Sequence, residues 1–168
     1  MIYIDIDGVL ADSDGYLKSI DPEALTDTHK LFKTIFKNYQ TVFLKSKPLV
    51  DLSFLDKLDD YMLLTALPNK QNIASFTDDV DEVMSTLSKN KMAWVNEHIG
   101  DCKLAIVDSR MDKIKYCQSS NDVLIDDSTS TGKRWKEKGG KHYISVEQFL
   151  RNHDTTKTTP TLQSTQLW

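Results

Sequence analysis

Five short runs rich in apolar and β-branched residues are spaced along the first 150 positions of the chain. They occupy positions 1–6, 61–65, 103–107, 122–125 and 141–144. Short runs of this kind, bounded by Asp, Gly or Pro, are typical of buried β-strands rather than of helices. The pattern therefore predicts five strands.

The stretches between these runs carry apolar residues at helical spacing. Helices are predicted within 21–40, 52–58, 79–98 and 145–152, with Gly100 placed to end the third and Ser145 to cap the last. The apolar positions of the first stretch are Leu25, Leu31, Phe32, Ile35, Phe36 and Tyr39. Strands that alternate with helices predict an α/β domain with a mostly parallel central sheet.

Composition limits the class of protein. The chain has 168 residues, 39% of them hydrophobic, which suits one domain that buries its own core. Its two cysteines, Cys102 and Cys117, exclude a disulfide-built scaffold. No apolar run is long enough to span a bilayer, and the first residues carry no signal-peptide pattern. We expect a soluble, cytoplasmic protein without a membrane partner.

The charge balance is slightly acidic, with 21 basic and 25 acidic residues and a net charge of −4. This sign disfavours broad binding to nucleic acid. A protein of this charge that handles phosphates needs local positive groups or a bound cation.

Acidic residues follow two of the predicted strands directly. Asp5 and Asp7 lie at the end of the first, with Asp12 close by, and Asp126 and Asp127 follow the fourth. Ligands collect at the carboxyl ends of parallel strands, so these carboxylates are expected to converge there. Mg²⁺ suits them because it takes carboxylate oxygens and bridges to phosphate. Taken singly, each motif could equally be an exposed turn.

Two further residues could supply donors to a phosphate. Thr65 ends the second predicted strand, and Lys113 lies in a polar stretch between strands. A hydroxyl and an ammonium stabilise the charge that builds on transferring oxygens. Alone, neither residue would indicate a phosphate-binding site.

In combination, these residues resemble the four ordered motifs of haloacid dehalogenase-type phosphatases. The matching segments are Asp5-Ile6-Asp7-Gly8-Val9, Thr65, Lys113 and Asp126-Asp127. The sequences DIDGVLAD at 5–12, KMAWV at 91–95 and VLIDDS at 123–128 resemble the 5′(3′)-deoxyribonucleotidase family more narrowly. The resemblance implies a Rossmann-type three-layer fold with a small helical cap inserted after strand one. It predicts a phosphatase domain at 1–153, a cap at about 14–47 and a flexible Thr/Gln-rich tail at 154–168.

The resemblance also implies a role for each motif residue. Asp5 would be the nucleophile and Asp7 the general acid and base, with Mg²⁺ held by Asp5, Asp127, Asp126 and the backbone carbonyl of Asp7. The sequence leaves open which of Asp126 and Asp127 ligates directly. Thr65, the amide of Ala66 and Lys113 would bind phosphate, with Lys115 as a competitor for Lys113.

The substrate is less sharply defined. The position after Asp12, often aromatic in this family, is Ser13, so Tyr16 or Phe43 would have to contact the base. The expected partner is a small phosphomonoester, with a (deoxy)nucleoside monophosphate preferred. The alternatives are another small ester, a phosphorylated nucleic-acid end, or a retired phosphatase fold used for binding or regulation. The oligomeric state stays open, a homodimer included.

Overall fold

A parallel β-sheet forms the centre of the protein. In the computed structural model, which describes residues 1–153, the sheet has five strands in the order β3-β2-β1-β4-β5, all of them parallel. The strands are β1 Ile2–Ile4, β2 Tyr61–Ala66, β3 Leu104–Val107, β4 Val123–Ile125 and β5 Lys141–Tyr143. The predicted α/β class and all five strands are confirmed. The architecture is compatible with a Rossmann-like fold.

Helices flank the sheet. They are α1 Ser13–Ile20, α2 Thr28–Lys37, α3 Lys70–Ala74, α4 Val80–His98, α5 Thr129–Glu137 and α6 Val146–His153, with 3₁₀ helices at Leu52–Lys57 and Arg110–Tyr116. Within residues 1–153, no helix combines the length and hydropathy that crossing a bilayer requires. The predicted tail lies outside the described residues.

Alternate side chains of the strands enter two separate apolar clusters. Ile4, Leu63 and Ile125 lie on one face, where they pack with residues of α4 and α6. Their neighbours Tyr3 and Leu64 lie on the other face, in the cluster that contains Trp135 of α5. This alternation with period two covers both faces of the sheet, as expected for buried parallel strands.

A third apolar cluster lies over the carboxyl ends of the strands. It joins residues of α1, α2 and the following loop to α3 and the first half of α4. Its buried members are Leu17, Ala24, Ile35, Val42, Phe43, Ile73, Val83, Met84 and Leu87. The segment between β1 and β2 therefore has a core of its own, which it shares with the amino-terminal half of α4.

Two helix boundaries follow the expected signals, whereas α3 and α5, like α1, form where no helix was predicted. Gly100, with φ +89°, ends α4, and the Ser145 hydroxyl accepts the Gln148 amide at 3.2 Å to cap α6. Helix α1 was not predicted, because its sequence SDGYLKSI is poor in helix formers; the Asp12 carboxylate caps it and Leu17 anchors it. The predicted helix at 52–58 is a 3₁₀ helix.

Asp122 fixes the loop that enters β4. Its buried carboxylate accepts the amides of Gln118 at 2.9 Å and Ser119 at 2.8 Å. Burial alone would raise the pKa of this carboxyl, but the donated hydrogen bonds outweigh burial and lower it. The loop therefore depends on the charged form of Asp122.

We expect Asp122→Asn to lower the free energy of unfolding by about 1.5–3 kcal/mol at pH 7, because two charge-assisted hydrogen bonds are weakened. Since folding depresses this pKa, the unaltered protein holds the advantage above the pKa of the unfolded chain and loses it as pH falls through the folded pKa. Denaturant unfolding at pH 7 and pH 3 measures both effects. A gap between the two proteins that is unchanged at pH 3 would contradict this account.

Candidate active site

Asp5 lies directly after β1, at the middle of the carboxyl edge of the sheet. It is 7% exposed, and its Oδ1 accepts the Ile6 amide at 2.8 Å while its Oδ2 lies 2.7 Å from the Lys113 ammonium. Burial raises the pKa of Asp5 to about 6, helped by the negative charges of Asp126 and Asp7 and opposed by Lys113. Asp5 is thus a desolvated carboxylate held in place by one cation.

Lys113 supplies that cation from the 3₁₀ helix Arg110–Tyr116. Its ammonium is 1% exposed and lies between Asp5, at 2.7 Å, and Asp126, at 2.8 Å. Burial would lower the pKa of Lys113, but the two carboxylates outweigh it and raise the pKa. Lys115 is exposed and pairs with Asp112 outside the site, so Lys113 is the lysine that the fold brings to Asp5.

The turn after β4 brings two more carboxylates to the same place. Asp126 is fully buried; its Oδ1 accepts the Ser128 amide at 2.8 Å, and its backbone oxygen lies 2.7 Å from His142 Nε2. Asp127 is exposed towards the cleft, and partial desolvation together with the charge of Asp126 raises its pKa. One carboxylate of the pair is therefore locked into the protein while the other faces the solvent.

Gly8 allows Asp127 to approach β1. Its backbone has φ +75°, and a Cβ at this position would overlap the Asp127 carboxylate. In isolation the Asp7-Gly8 pair indicates only a turn. Here a glycine at position 8 suits both the positive φ and the close approach of Asp127.

Asp5, Asp126 and Asp127 form a cluster that could hold a metal ion. Each offers a carboxylate oxygen, and the three oxygens lie within 4.8 Å of one another. Oxygen donors of this kind suit a hard divalent cation. Lys113 and Arg110 provide two positive charges against these three carboxylates, so negative charge is left over. Burial is the main cause of the raised pKa values of Asp5 and Asp127, and the neighbouring carboxylates add to it. The donor set therefore fits a cation such as Mg²⁺.

Asp7 takes a different position from the other acids. Its carboxylate pairs with Lys91 and accepts the hydroxyls of Ser13 at 2.6 Å and Thr65 at 3.3 Å. Burial would raise its pKa, but the Lys91 ammonium and the Ser13 hydrogen bond lower it. The side chain of Asp7 lies outside the carboxylate cluster of the described residues. The predicted metal contact of Asp7 was its backbone carbonyl, which this placement leaves available.

Lys91 is a buried site residue that the sequence reasoning missed. It lies on α4 with no exposed surface, and its Nζ donates to Thr65 Oγ1 at 2.9 Å as well as pairing with Asp7. A signal was available: Lys91 continues the buried face of α4 that carries Leu87 and Trp94. A lysine at a core position of an amphipathic helix needs an acidic partner inside the protein.

Thr65 and Ala66 end β2 beside Asp7. Thr65 is fully buried and its hydroxyl is used twice, as the acceptor for Lys91 and as the donor to Asp7. Ala66 lines the adjacent cavity. Both predicted phosphate-binding positions therefore lie at the site, with the Thr65 side chain already engaged.

A cavity of about 530 Å³ opens above these residues. Asp5, Asp7, Lys113 and Asp127 form its charged end. Apolar residues of α1, α2, the loop after α2 and the loop after β2 line the rest of the cavity: Leu17, Leu31, Phe32, Ile35, Phe43, Leu67 and Pro68. The cavity thus offers charged groups for an anion and a cation and an apolar surface beside them.

The two aromatic residues suggested for substrate contact are placed differently. Phe43 lines the cavity. Tyr16 does not contribute to this lining within residues 1–153, and its hydroxyl donates to Thr41 Oγ1 at 2.9 Å. Its ring packs against the third apolar cluster, so Tyr16 serves the core of the inserted segment.

Comparison with known proteins adds no family assignment, because no protein-family model and no curated protein sequence matches the chain.

Replacing Lys113 tests the charge arrangement around Asp5. In metal-free buffer at pH 8, we expect Lys113→Met to lower the free energy of unfolding by about 3–5 kcal/mol, because two buried carboxylates lose their cation. The loss is smaller at pH 5, where protonation removes the charge of Asp5, whose pKa is raised. Denaturant unfolding at both pH values measures the difference.

Lys115→Met is the matched control for this experiment. Its ion pair with Asp112 is exposed, so removing it costs less than about 1 kcal/mol at either pH. Equal losses from the two lysine variants would contradict the placement of Lys113.

Proposed function

We propose that this protein is a Mg²⁺-dependent phosphomonoesterase of the haloacid dehalogenase type that acts on (deoxy)nucleoside monophosphates. One observation carries the proposal. Asp5 lies buried at the charged end of the cavity, held by Lys113 and flanked by two carboxylates suited to a cation. A nucleophile, a positive charge and an oxygen donor set beside a cavity are the parts that phosphoryl transfer requires.

Asp5, Asp126 and Asp127 would hold the metal, with the backbone carbonyl of Asp7. Mg²⁺ bound there would neutralise charge on the phosphoryl oxygens. The Lys113 ammonium would also neutralise charge on the phosphoryl oxygens, since it lies 2.7 Å from Asp5. Its rigid placement costs no reorganisation when charge develops.

In the first half of the reaction, the Asp5 carboxylate attacks phosphorus and forms an acyl-phosphate bond. The ester bond between phosphorus and the leaving oxygen breaks, and Asp7 gives its proton to that oxygen. The product alcohol departs, which leaves a phosphorylated Asp5. The Ala66 amide would donate to the phosphoryl oxygens, and the Thr65 hydroxyl could do so only by giving up its hydrogen bond to Asp7.

In the second half, Asp7 takes a proton from a water molecule that attacks the phosphorylated Asp5. The bond from Asp5 to phosphorus breaks, inorganic phosphate leaves, and Asp7 is again protonated for the next turnover. Covalent catalysis replaces one difficult hydrolysis with two easier transfers. Asp7 is suited to both proton transfers because its side chain stays outside the carboxylate cluster.

The charge of Asp7 must change before it can act as an acid. In the ligand-free protein, Lys91 and Ser13 hold its pKa below the ordinary value, so it is ionised. A phosphate dianion bound beside Asp7 repels this charge. The repulsion raises the pKa of Asp7 towards the protonated form that the first step uses.

The apolar wall of the cavity supports a nucleotide as the substrate. Phe32 and Phe43 offer ring surfaces, and Asn69 and Thr28 supply amide and hydroxyl groups at the same cavity. A volume of about 530 Å³ accommodates a mononucleotide. A small sugar phosphate would leave this apolar surface unused, which favours a base-bearing ester.

Replacing the nucleophile tests the chemistry. We expect Asp5→Asn to abolish phosphate release from every ester, because a neutral amide cannot form the acyl-phosphate, while the fold is retained. Asp108→Asn is the control, since Asp108 is exposed after β3 at the same edge of the sheet and does not line the cavity. Phosphate release with Mg²⁺ and thermal unfolding are measured for both.

The substrates for this test are a panel of nucleoside monophosphates, sugar phosphates and a 5′-phosphorylated oligonucleotide. Turnover by Asp5→Asn would refute the mechanism. Release from sugar phosphates alone would refute the nucleotide assignment. Metal binding without turnover of any ester would instead support a binding protein.

The metal requirement is tested through Asp127. We expect a chelator to abolish turnover and added Mg²⁺ to restore it. Asp127→Asn should raise the Mg²⁺ concentration needed for half-maximal turnover by at least about tenfold, since one anionic ligand is lost from the cluster. Isothermal titration of Mg²⁺ into the ligand-free protein provides an independent measurement. Full activity in chelator would contradict the prediction.

A further inference from the structure

Phe43 has an unusual backbone conformation. Its φ is +68°, and within residues 1–153 no other non-glycine residue has a positive φ. An aromatic side chain in this left-handed region is uncommon and strained. Such a conformation persists only where the surrounding structure imposes it, and it is frequently found at functional sites.

Helix α4 imposes this conformation from both sides. The buried Asn90 side chain donates to the backbone oxygens of Tyr39, at 2.8 Å, and Val42, at 3.0 Å. The buried Trp94 indole donates to the backbone oxygen of Ser46 at 2.7 Å. Hydrogen bonds from α4 therefore hold the backbone on both sides of Phe43. The same helix carries Lys91.

The result is a specific placement of the Phe43 ring. The Lys91 ammonium lies 4.2 Å from the ring centroid, within the range of a cation–π interaction. The same side chain lines the cavity. Lys91 has no exposed surface, so the ring closes the side of the ammonium that Asp7 and Thr65 leave open.

We propose that Phe43 is a positioning residue for the reaction, acting through Lys91. The ring keeps the ammonium dry and directed at Asp7 and Thr65, in addition to any contact with the leaving group. This inference rests on the proposed phosphatase function. It goes beyond that function, because it predicts an effect of Phe43 on the chemical step for substrates that carry no ring to stack on it.

Two substrates separate positioning from stacking. Thymidine 5′-monophosphate has a base that a ring can contact, and glycerol 1-phosphate has none. If Phe43 positions Lys91, Phe43→Leu lowers kcat about 3- to 30-fold for both esters, the range expected for a buried cation–π contact. If Phe43 only stacks on a base, the substitution raises KM for the nucleotide and leaves glycerol phosphate hydrolysis unchanged, which would overturn the proposal.

Matched variants distinguish a specific effect of Phe43 from a general destabilisation of the segment between β1 and β2. Phe43→Tyr keeps the ring and should restore kcat to within about twofold of the unaltered protein. Phe36→Leu makes the same aromatic-to-leucine change in the same apolar cluster, away from the cavity lining, where Phe36 stacks on Tyr39 and Phe76. It should leave kcat within about twofold while lowering thermal stability. A kcat loss in Phe36→Leu equal to that in Phe43→Leu would overturn the proposal.

A spectroscopic measurement tests the contact without any turnover. The side-chain methylene signals of Lys91, assigned with Lys91→Arg in lysine-labelled protein, should show a ring-current shift that is lost in Phe43→Leu and kept in Phe43→Tyr. Identical Lys91 signals in the unaltered protein and Phe43→Leu would refute the contact. Failure of the unaltered protein to hydrolyse any ester would refute the phosphatase proposal instead, so the two failures are distinguishable.

Discussion

The site depends on charge compensation between buried groups. Two lysines without access to solvent, Lys91 and Lys113, face the acids that follow β1 and β4. An unpaired charge in such a place would be several kcal/mol less stable than in water, so each group requires its partners. The pairing is incomplete, because Asp5, Asp126 and Asp127 share only the positive charges of Lys113 and Arg110. This residual negative charge makes the edge of the sheet receptive to a cation.

The fold delivers these groups from separate parts of the chain. Because β1 lies between β2 and β4, the residues that follow the three strands meet at one edge. Lys113 arrives from a 3₁₀ helix on one face of the sheet and Lys91 from α4 on the other. The segment between β1 and β2 adds the apolar wall. The charged groups and the apolar lining thus belong to different elements that share one cavity.

Much of this arrangement follows from local sequence pattern. Short apolar runs ending in Asp predict both the strands and the carboxylates that converge after them, as at Asp5 and Asp126. Pattern alone could not choose between Lys113 and Lys115, because the choice depends on the rotation of an irregular 3₁₀ helix. The conformation of Phe43 was equally inaccessible, since long-range hydrogen bonds from α4 impose it against local preference. Lys91 was predictable in principle from its place on the buried face of α4.

Helix α4 takes part in two of the apolar clusters. Val83, Met84 and Leu87 pack in the cluster above the sheet, whereas Trp94 and Val95 pack against the sheet itself. Asn90 and Lys91 lie at the junction between the two. Because one continuous helix is packed into both clusters, disruption of one cluster should destabilise the other. We therefore expect the two clusters to unfold cooperatively. Variation on α1 and α2 can then change the apolar lining of the cavity, while the junction keeps Lys91 beside Asp7 and Thr65.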